Sequence, residues 1–258
     1  MTLTRRDFLK GTLGAFLISP GRGRDREVPT KRIPVLLYHD ISNSVKDDYT
    51  LSPAQFAAQM EWLYSEGYQA LLFREVPSLP EEQLERKVVI TFDDGYASFI
   101  DYAFPLLQSY QFKAILNPIG AHVGTFIPMG TNRPLLSWDE YRYLLKTGLV
   151  ELGCHTYELH HSKGALSVSA SRLESDLQRF QEVAQRETGR RVQILAWPYG
   201  YFDRQSVRVA KKVGFQYLLT SEEGLFERAS GWDRIPRLNI NYKLDLVSFK
   251  QYLGRKEQ

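Results

Sequence analysis

Three short polar clusters carry the chemistry this sequence can do. They are His39-Asp40, Asp93-Asp94-Gly95 and His155-Thr156-Tyr157-Glu158-Leu159-His160-His161, and they hold four of the five histidines. Two histidines on a tight loop plus one carboxylate match the His₂–carboxylate ligand set of a hydrolytic metal site, which leaves positions open for water. His160 and His161 are adjacent, so in an extended loop only one turns easily toward the same ion. Solvent-exposed loop histidines are the plain alternative. Asp93-Asp94-Gly95 is weaker alone, since Asp-Gly is a common turn and Asp a common helix cap. It gains weight if both carboxylates leave one buried strand end, where their repulsion needs a cation or a proton to offset it.

The elements between these clusters must bring them together. Apolar and β-branched runs at 34–38, 68–73, 87–92, 113–117, 149–153, 192–197, 216–220 and 235–240 predict strands. Helices fall between them. Ser52-Pro53-Ala54-Gln55 and Ser137-Trp138-Asp139-Glu140 are capping boxes, and Asp203 caps a further helix. A helix over 97–109 and a long charged one over 169–188, ending at Gly189, complete the set with a terminal helix. The alternation predicts an α/β fold, a single-domain (β/α) barrel of about seven parallel strands, with a doubly wound open sheet second. A barrel gathers reactive groups at the C-terminal ends of its strands. All three clusters follow predicted strands.

Composition narrows the class. With 258 residues, 24% charged and 43% hydrophobic, the chain is neither globally disordered nor collagen-like. Its single cysteine, Cys154, excludes an internal disulfide and a cysteine-rich zinc site. No run reaches the ~18 apolar residues of a membrane span. The net charge of +3 is uneven: residues 1–33 hold eight basic and three acidic side chains, leaving 25 basic against 27 acidic. A near-neutral body gives no case for nucleic acid. The basic excess belongs to residues 1–32, read as a leader and linker. Arg5-Arg6 before the apolar run 11–18 resembles a twin-arginine export signal. That predicts a periplasmic, envelope or extracellular protein. No small-x-small cleavage site is visible, so the leader could stay as a weak envelope anchor.

Thr91-Phe92-Asp93-Asp94-Gly95-Tyr96 with a downstream His-Thr-x-x-x-His resembles the polysaccharide deacetylase family, the carbohydrate esterase 4 group. The resemblance covers nearly all of 33–241 and makes 33–258 the catalytic domain. It implies removal of N- or O-acetyl groups from sugars on a distorted (β/α) barrel with one divalent metal. It implies Asp93 as general base and Asp94, His155 and His160 as metal ligands. Trp197-Pro198-Tyr199-Gly200 resembles the third motif, which implies that the Tyr199 N–H helps hold the oxyanion. Carboxylate and imidazole ligands suit zinc best, with cobalt, nickel or iron(II) able to replace it.

Two departures narrow the branch. The family's third motif carries an orienting Arg two residues before its Pro; here that position is Ala196. The family's Leu-x-His acid near the C-terminus is missing, since no histidine follows His161. Leu36-Leu37-Tyr38-His39-Asp40-Ile41 instead resembles the poly-β-1,6-N-acetylglucosamine deacetylases of biofilm formation. There the motif order is permuted and this early histidine, His39, is the acid. A strand-end histidine hydrogen-bonded in the core is the alternative. Arg237 is a candidate for the missing Arg. Trp197 and Trp232 could stack on sugar faces, although core packing suits at least one of them better. His122, in a Gly-flanked loop, reads as structural or at the cleft rim. The expected activity is N-deacetylation of an acetylated amino-sugar polymer. A peptidoglycan or chitin-oligomer deacetylase, an O-acetyl esterase, and a catalytically silent carbohydrate-binding module are the alternatives.

Overall fold

The computed structural model describes residues 32–44, 47–127, 133–161 and 163–254. The expected leader, with Arg5 and Arg6, lies outside the described residues except for Arg32. Ten strands alternate with six α-helices among them. The strands are β1 (Val35–Tyr38), β2 (Asp40–Ile41), β3 (Thr50–Leu51), β4 (Gln69–Ala70), β5 (Lys87–Asp94), β6 (Ala114–Pro118), β7 (Val150–Leu152), β8 (Ile194–Ala196), β9 (Tyr217–Leu219) and β10 (Leu238–Asn239). The helices are α1 (Pro53–Ser65), α2 (Phe104–Ser109), α3 (Trp138–Lys146), α4 (Ala170–Thr188), α5 (Arg204–Val213) and α6 (Leu246–Gly254).

The main sheet runs β10-β1-β5-β6-β7, with β4 on the first two residues of β5, and all its pairings are parallel. β8 and β9 form a separate parallel pair. Single bridges, Cys154 to Leu195 and Leu219 to Ile235, tie that pair back toward β7 and β10. The ring thus closes as a distorted parallel α/β barrel. Apart from β5 its strands are short, and they fall in more than one sheet.

The two-residue period of the strands divides the core. Val35, Val89, Ile115, Ile194, Ala196, Tyr217 and Leu219 form one buried cluster. Leu36, Tyr38, Val88, Ile90, Phe92 and Leu116 pack instead with helix residues such as Phe56, Leu144 and Leu177. Along β5 the first set continues Val89, Thr91, Asp93, so the pleat turns Asp93 away from the helices.

Local signals decide the ends. The Ser52 and Ser137 capping boxes form, and Gly189 closes α4 at φ 71°. β5 runs two residues past its expected end and so carries the Asp pair itself. The strand expected over 68–73 shrinks to β4, because the Glu75 carboxylate accepts the Leu72 N–H at 2.8 Å and turns the chain into a 3₁₀ segment. The helix expected over 97–109 opens as a π-helical turn, Phe99–Ala103. Pro105, which cannot donate an intrahelical bond, lies just beyond that turn. None of the described helices is long and apolar enough to cross a membrane.

Ile90 is fully buried at the centre of the sheet. Ile90→Ala is expected to cost about 2–5 kcal/mol of stability, read as a lowered denaturant midpoint at unchanged slope.

Candidate active site

The ends of β1, β5 and β10 and the loops after β7 and β8 open on one cavity of about 530 Å³, lined among others by His39, Asp93, Asp94, His155, His160 and Tyr199. Asp93 is 2% exposed and held on both oxygens. Arg237 donates Nη1 to Oδ1 at 2.9 Å and Nη2 to Oδ2 at 2.7 Å, and Asn117 donates Nδ2 to Oδ1 at 2.8 Å. Arg237, 1% exposed, is itself fixed by the Thr220 carbonyl at 2.7 Å and by Thr91 Oγ1 at 3.2 Å. Burial raises the Asp93 carboxyl, but the guanidinium more than offsets it and holds the group far below the usual carboxylate range. Asp93 is therefore an oriented, ionised carboxylate.

Asp94 turns the other way because its backbone is left-handed, at φ 69°. Its Oδ1 lies 3.2 Å from His160 Nε2 and 3.5 Å from His155 Nε2. The three ligand atoms lie within 4.8 Å of one another. Burial raises Asp94, while His160 and the other nearby histidines pull it down to about 2. His155 is 3% exposed, and its Nδ1 lies 2.8 Å from the Ala196 carbonyl. That carbonyl can only accept, so Nδ1 carries the proton and Nε2 presents a lone pair. Burial, against the pull of Asp93, lowers His155 to about 4. A carboxylate oxygen without a hydrogen-bond donor facing an imidazole lone pair is repulsive unless a cation sits between them. The donor set therefore fits a divalent metal, and Asp94, His155 and His160 could hold it. His161 is exposed and does not line the cavity.

His39 follows β1 directly, and its ring meets the edge of Tyr49 at 5.2 Å between centroids. Its Nδ1 is buried with no hydrogen-bond partner among the described residues, unlike the core-bonded histidine that was the alternative. Burial lowers its pKa against the opposing charges of Asp94 and Asp93. Tyr199 is left-handed at φ 56° in the turn after β8, with its ring 5.0 Å from that of His160. Gly200 must be glycine there: a Cβ would meet Ser221 Oγ at 2.1 Å. Trp197 lines the cavity but is 1% exposed and stacked on Phe202, so it offers no open face to a sugar. Trp232 packs on Tyr217 and Phe226, and neither it nor His122 lines the cavity.

Several residues the sequence did not single out also build the site. Asn117 stands opposite Asp93 in the β5–β6 register, and Gly153 leaves it room, since a Cβ there would meet Asn117 Oδ1 at 1.8 Å. Tyr49, Tyr201 and Arg133 line the walls. Only register and loop packing bring them in, so no local signal marks them.

A parallel barrel that gathers an ion-paired carboxylate, an Asp–His–His cluster and a strand-end histidine in one cavity defines a hydrolytic enzyme. The chain belongs to the polysaccharide deacetylase family, whose model it matches over residues 81–218. It is 27% identical over 224 residues to the poly-beta-1,6-N-acetyl-D-glucosamine N-deacetylase of Staphylococcus epidermidis, covering 84% of this chain and 76% of that one. It is 26% identical over 262 residues to the enzyme of the same name in Escherichia coli; that alignment takes in 87% of this chain but only 39% of the longer relative. A solved de-N-acetylase from Aggregatibacter actinomycetemcomitans superposes with a TM-score of 0.73 at 25% identity, over 86% of this chain and all (100%) of that one. IcaB from Ammonifex degensii, at 21% identity, shares the fold with a TM-score of 0.76, over 88% of this chain and 98% of that one.

The geometry has two measurable consequences. His160→Ala is expected to weaken divalent-ion binding sharply while His161→Ala retains it, measured as metal content after dialysis; the reverse pattern would put the wrong histidine at the site. Arg237→Gln strands the Asp93 charge and is expected to cost about 3–5 kcal/mol in denaturant unfolding, with loss of activity.

Proposed function

We propose that this polysaccharide deacetylase is a divalent-metal-dependent N-deacetylase of an exported amino-sugar polymer, poly-β-1,6-N-acetylglucosamine. The observation that carries the reading is His39, a histidine with a free ring nitrogen in the same cavity as Asp93 and the Asp94–His155–His160 cluster. His39 and Arg237 both lie outside the matched residues 81–218, at the two ends of the barrel sequence. That placement agrees with the permuted branch, as do the names of the Staphylococcus epidermidis and Escherichia coli relatives. The Arg5-Arg6 leader supports action outside the cytoplasm.

A zinc or similar ion held by Asp94, His155 and His160 would supply Lewis-acid activation of the acetamide carbonyl and of water. Asp93, oriented by Arg237 and Asn117, takes the proton of the attacking water. The Tyr199 N–H donates to the oxygen that becomes negative in the tetrahedral intermediate. The carbon–nitrogen bond then breaks, its electron pair passes to nitrogen, and protonated His39 supplies the proton that makes the amine a leaving group. The products are acetate and a glucosamine unit. A silent binding module has no use for a buried, ion-paired carboxylate aimed at the cavity, which is costly to hold.

Acetate release from soluble β-1,6-linked oligomers is expected to exceed that from chitin oligomers; the opposite ranking would favour a chitin or peptidoglycan substrate. His39→Ala is expected to keep metal and fold but lose about 100-fold or more in turnover. Near-wild-type turnover of the folded, metal-loaded variant would remove His39 from the mechanism.

A further inference from the structure

His39 Nδ1 has no hydrogen-bond partner among the described residues. The chain around it is pinned instead. Asp40, the next residue, is 4% exposed and accepts from Ser98 Oγ at 2.6 Å and from Arg133 Nη1 at 2.9 Å. The same guanidinium reaches Thr50 Oγ1 at 3.0 Å and, through Nη2, Asp47 Oδ2 at 2.7 Å. Asp47 in turn accepts the Tyr49 N–H at 3.0 Å, and the Tyr49 ring is the one packed on His39. Arg133 also lies over the ring of Tyr96 at 5.0 Å, two residues past Asp94. One planar, always-charged fork thus joins the residue after His39, the loop carrying Tyr49, and the turn after the Asp pair.

We propose that Arg133 is the positioning residue for His39: it ties Asp40 to Asp47 and Thr50 so that the imidazole meets the leaving nitrogen. This rests on the reading of His39 as the acid. A ring whose Nδ1 has no polar tether otherwise relies on its backbone and packing to choose among rotamers. The role differs from substrate binding, because it is spent only when the leaving group needs a proton.

The leaving group therefore supplies the test. The amide of a β-1,6-linked N-acetylglucosamine oligomer needs a proton on its departing nitrogen, whereas p-nitrophenyl acetate releases a phenolate that does not. With the metal-loaded full chain, Arg133→Gln is expected to lower the ratio of amide to aryl-ester turnover about tenfold. Asp47→Asn, at the more exposed edge of the clamp, is expected to shift the ratio less and in the same direction, and it serves if Arg133→Gln fails to fold. In a His39→Ala background neither change should alter the ratio further. Equal losses on both substrates, or the same loss of ratio with and without His39, would overturn the positioning role. A ratio that falls in His39→Ala but holds in both clamp variants would overturn it alone. An unchanged ratio in His39→Ala itself would remove the acid reading, and the positioning role with it.

Discussion

Asp93 and Asp94 sit side by side at the end of one buried strand, where two like charges cannot both stay ionised without compensation. The barrel mouth is built around that repulsion. The pleat and a left-handed Asp94 send the carboxylates to opposite partners. Asp93 meets a guanidinium and an amide; Asp94 meets two imidazole nitrogens and space for a cation. The separation turns one electrostatic liability into two chemical roles, because the partners of each carboxylate decide whether it holds a proton, an ion or neither.

Holding this arrangement takes backbone strain. Asp94, Thr156 and Tyr199 are three of the five non-glycine residues with positive φ among the described residues; Asp94 ends β5 and the other two lie in loops of the site. Such conformations cost about 1–3 kcal/mol each and persist only where the surroundings over-determine them. Here the buried strands do so. The loop from Thr156 is further fixed by Asp176 of α4, whose carboxylate accepts the N–H groups of Tyr157 and Glu158 at 2.8 and 3.0 Å. The rigid part of the fold is thus spent on the segment between His155 and His160.

The guanidinium on Asp93 comes from the far end of the barrel sequence. The family resemblance places an orienting Arg at the position of Ala196, on β8. In this chain the same charge comes from Arg237, just before β10, across the closing gap of the barrel. A buried carboxylate needs an ion pair of the right geometry and is indifferent to which strand supplies it. The irregular closure through Ile235 and β10 is what lets that strand reach the centre.

The sequence by itself determined the alternation of strands and helices, the helix caps and the three polar clusters, because each follows from local periodicity and turn chemistry. It also marked Asp93, Asp94, His155 and His160 through their motif spacing. The identity of the partners was decided only in three dimensions. Asn117 enters by strand register and Arg133 by contacts spanning 93 residues; Arg237 was one sequence candidate among others, and its pairing with Asp93, 144 residues away, and the burial of Trp197 on Phe202 needed the structure. Register and long-range ion pairs depend on how distant segments meet when the barrel closes, and no local pattern records that.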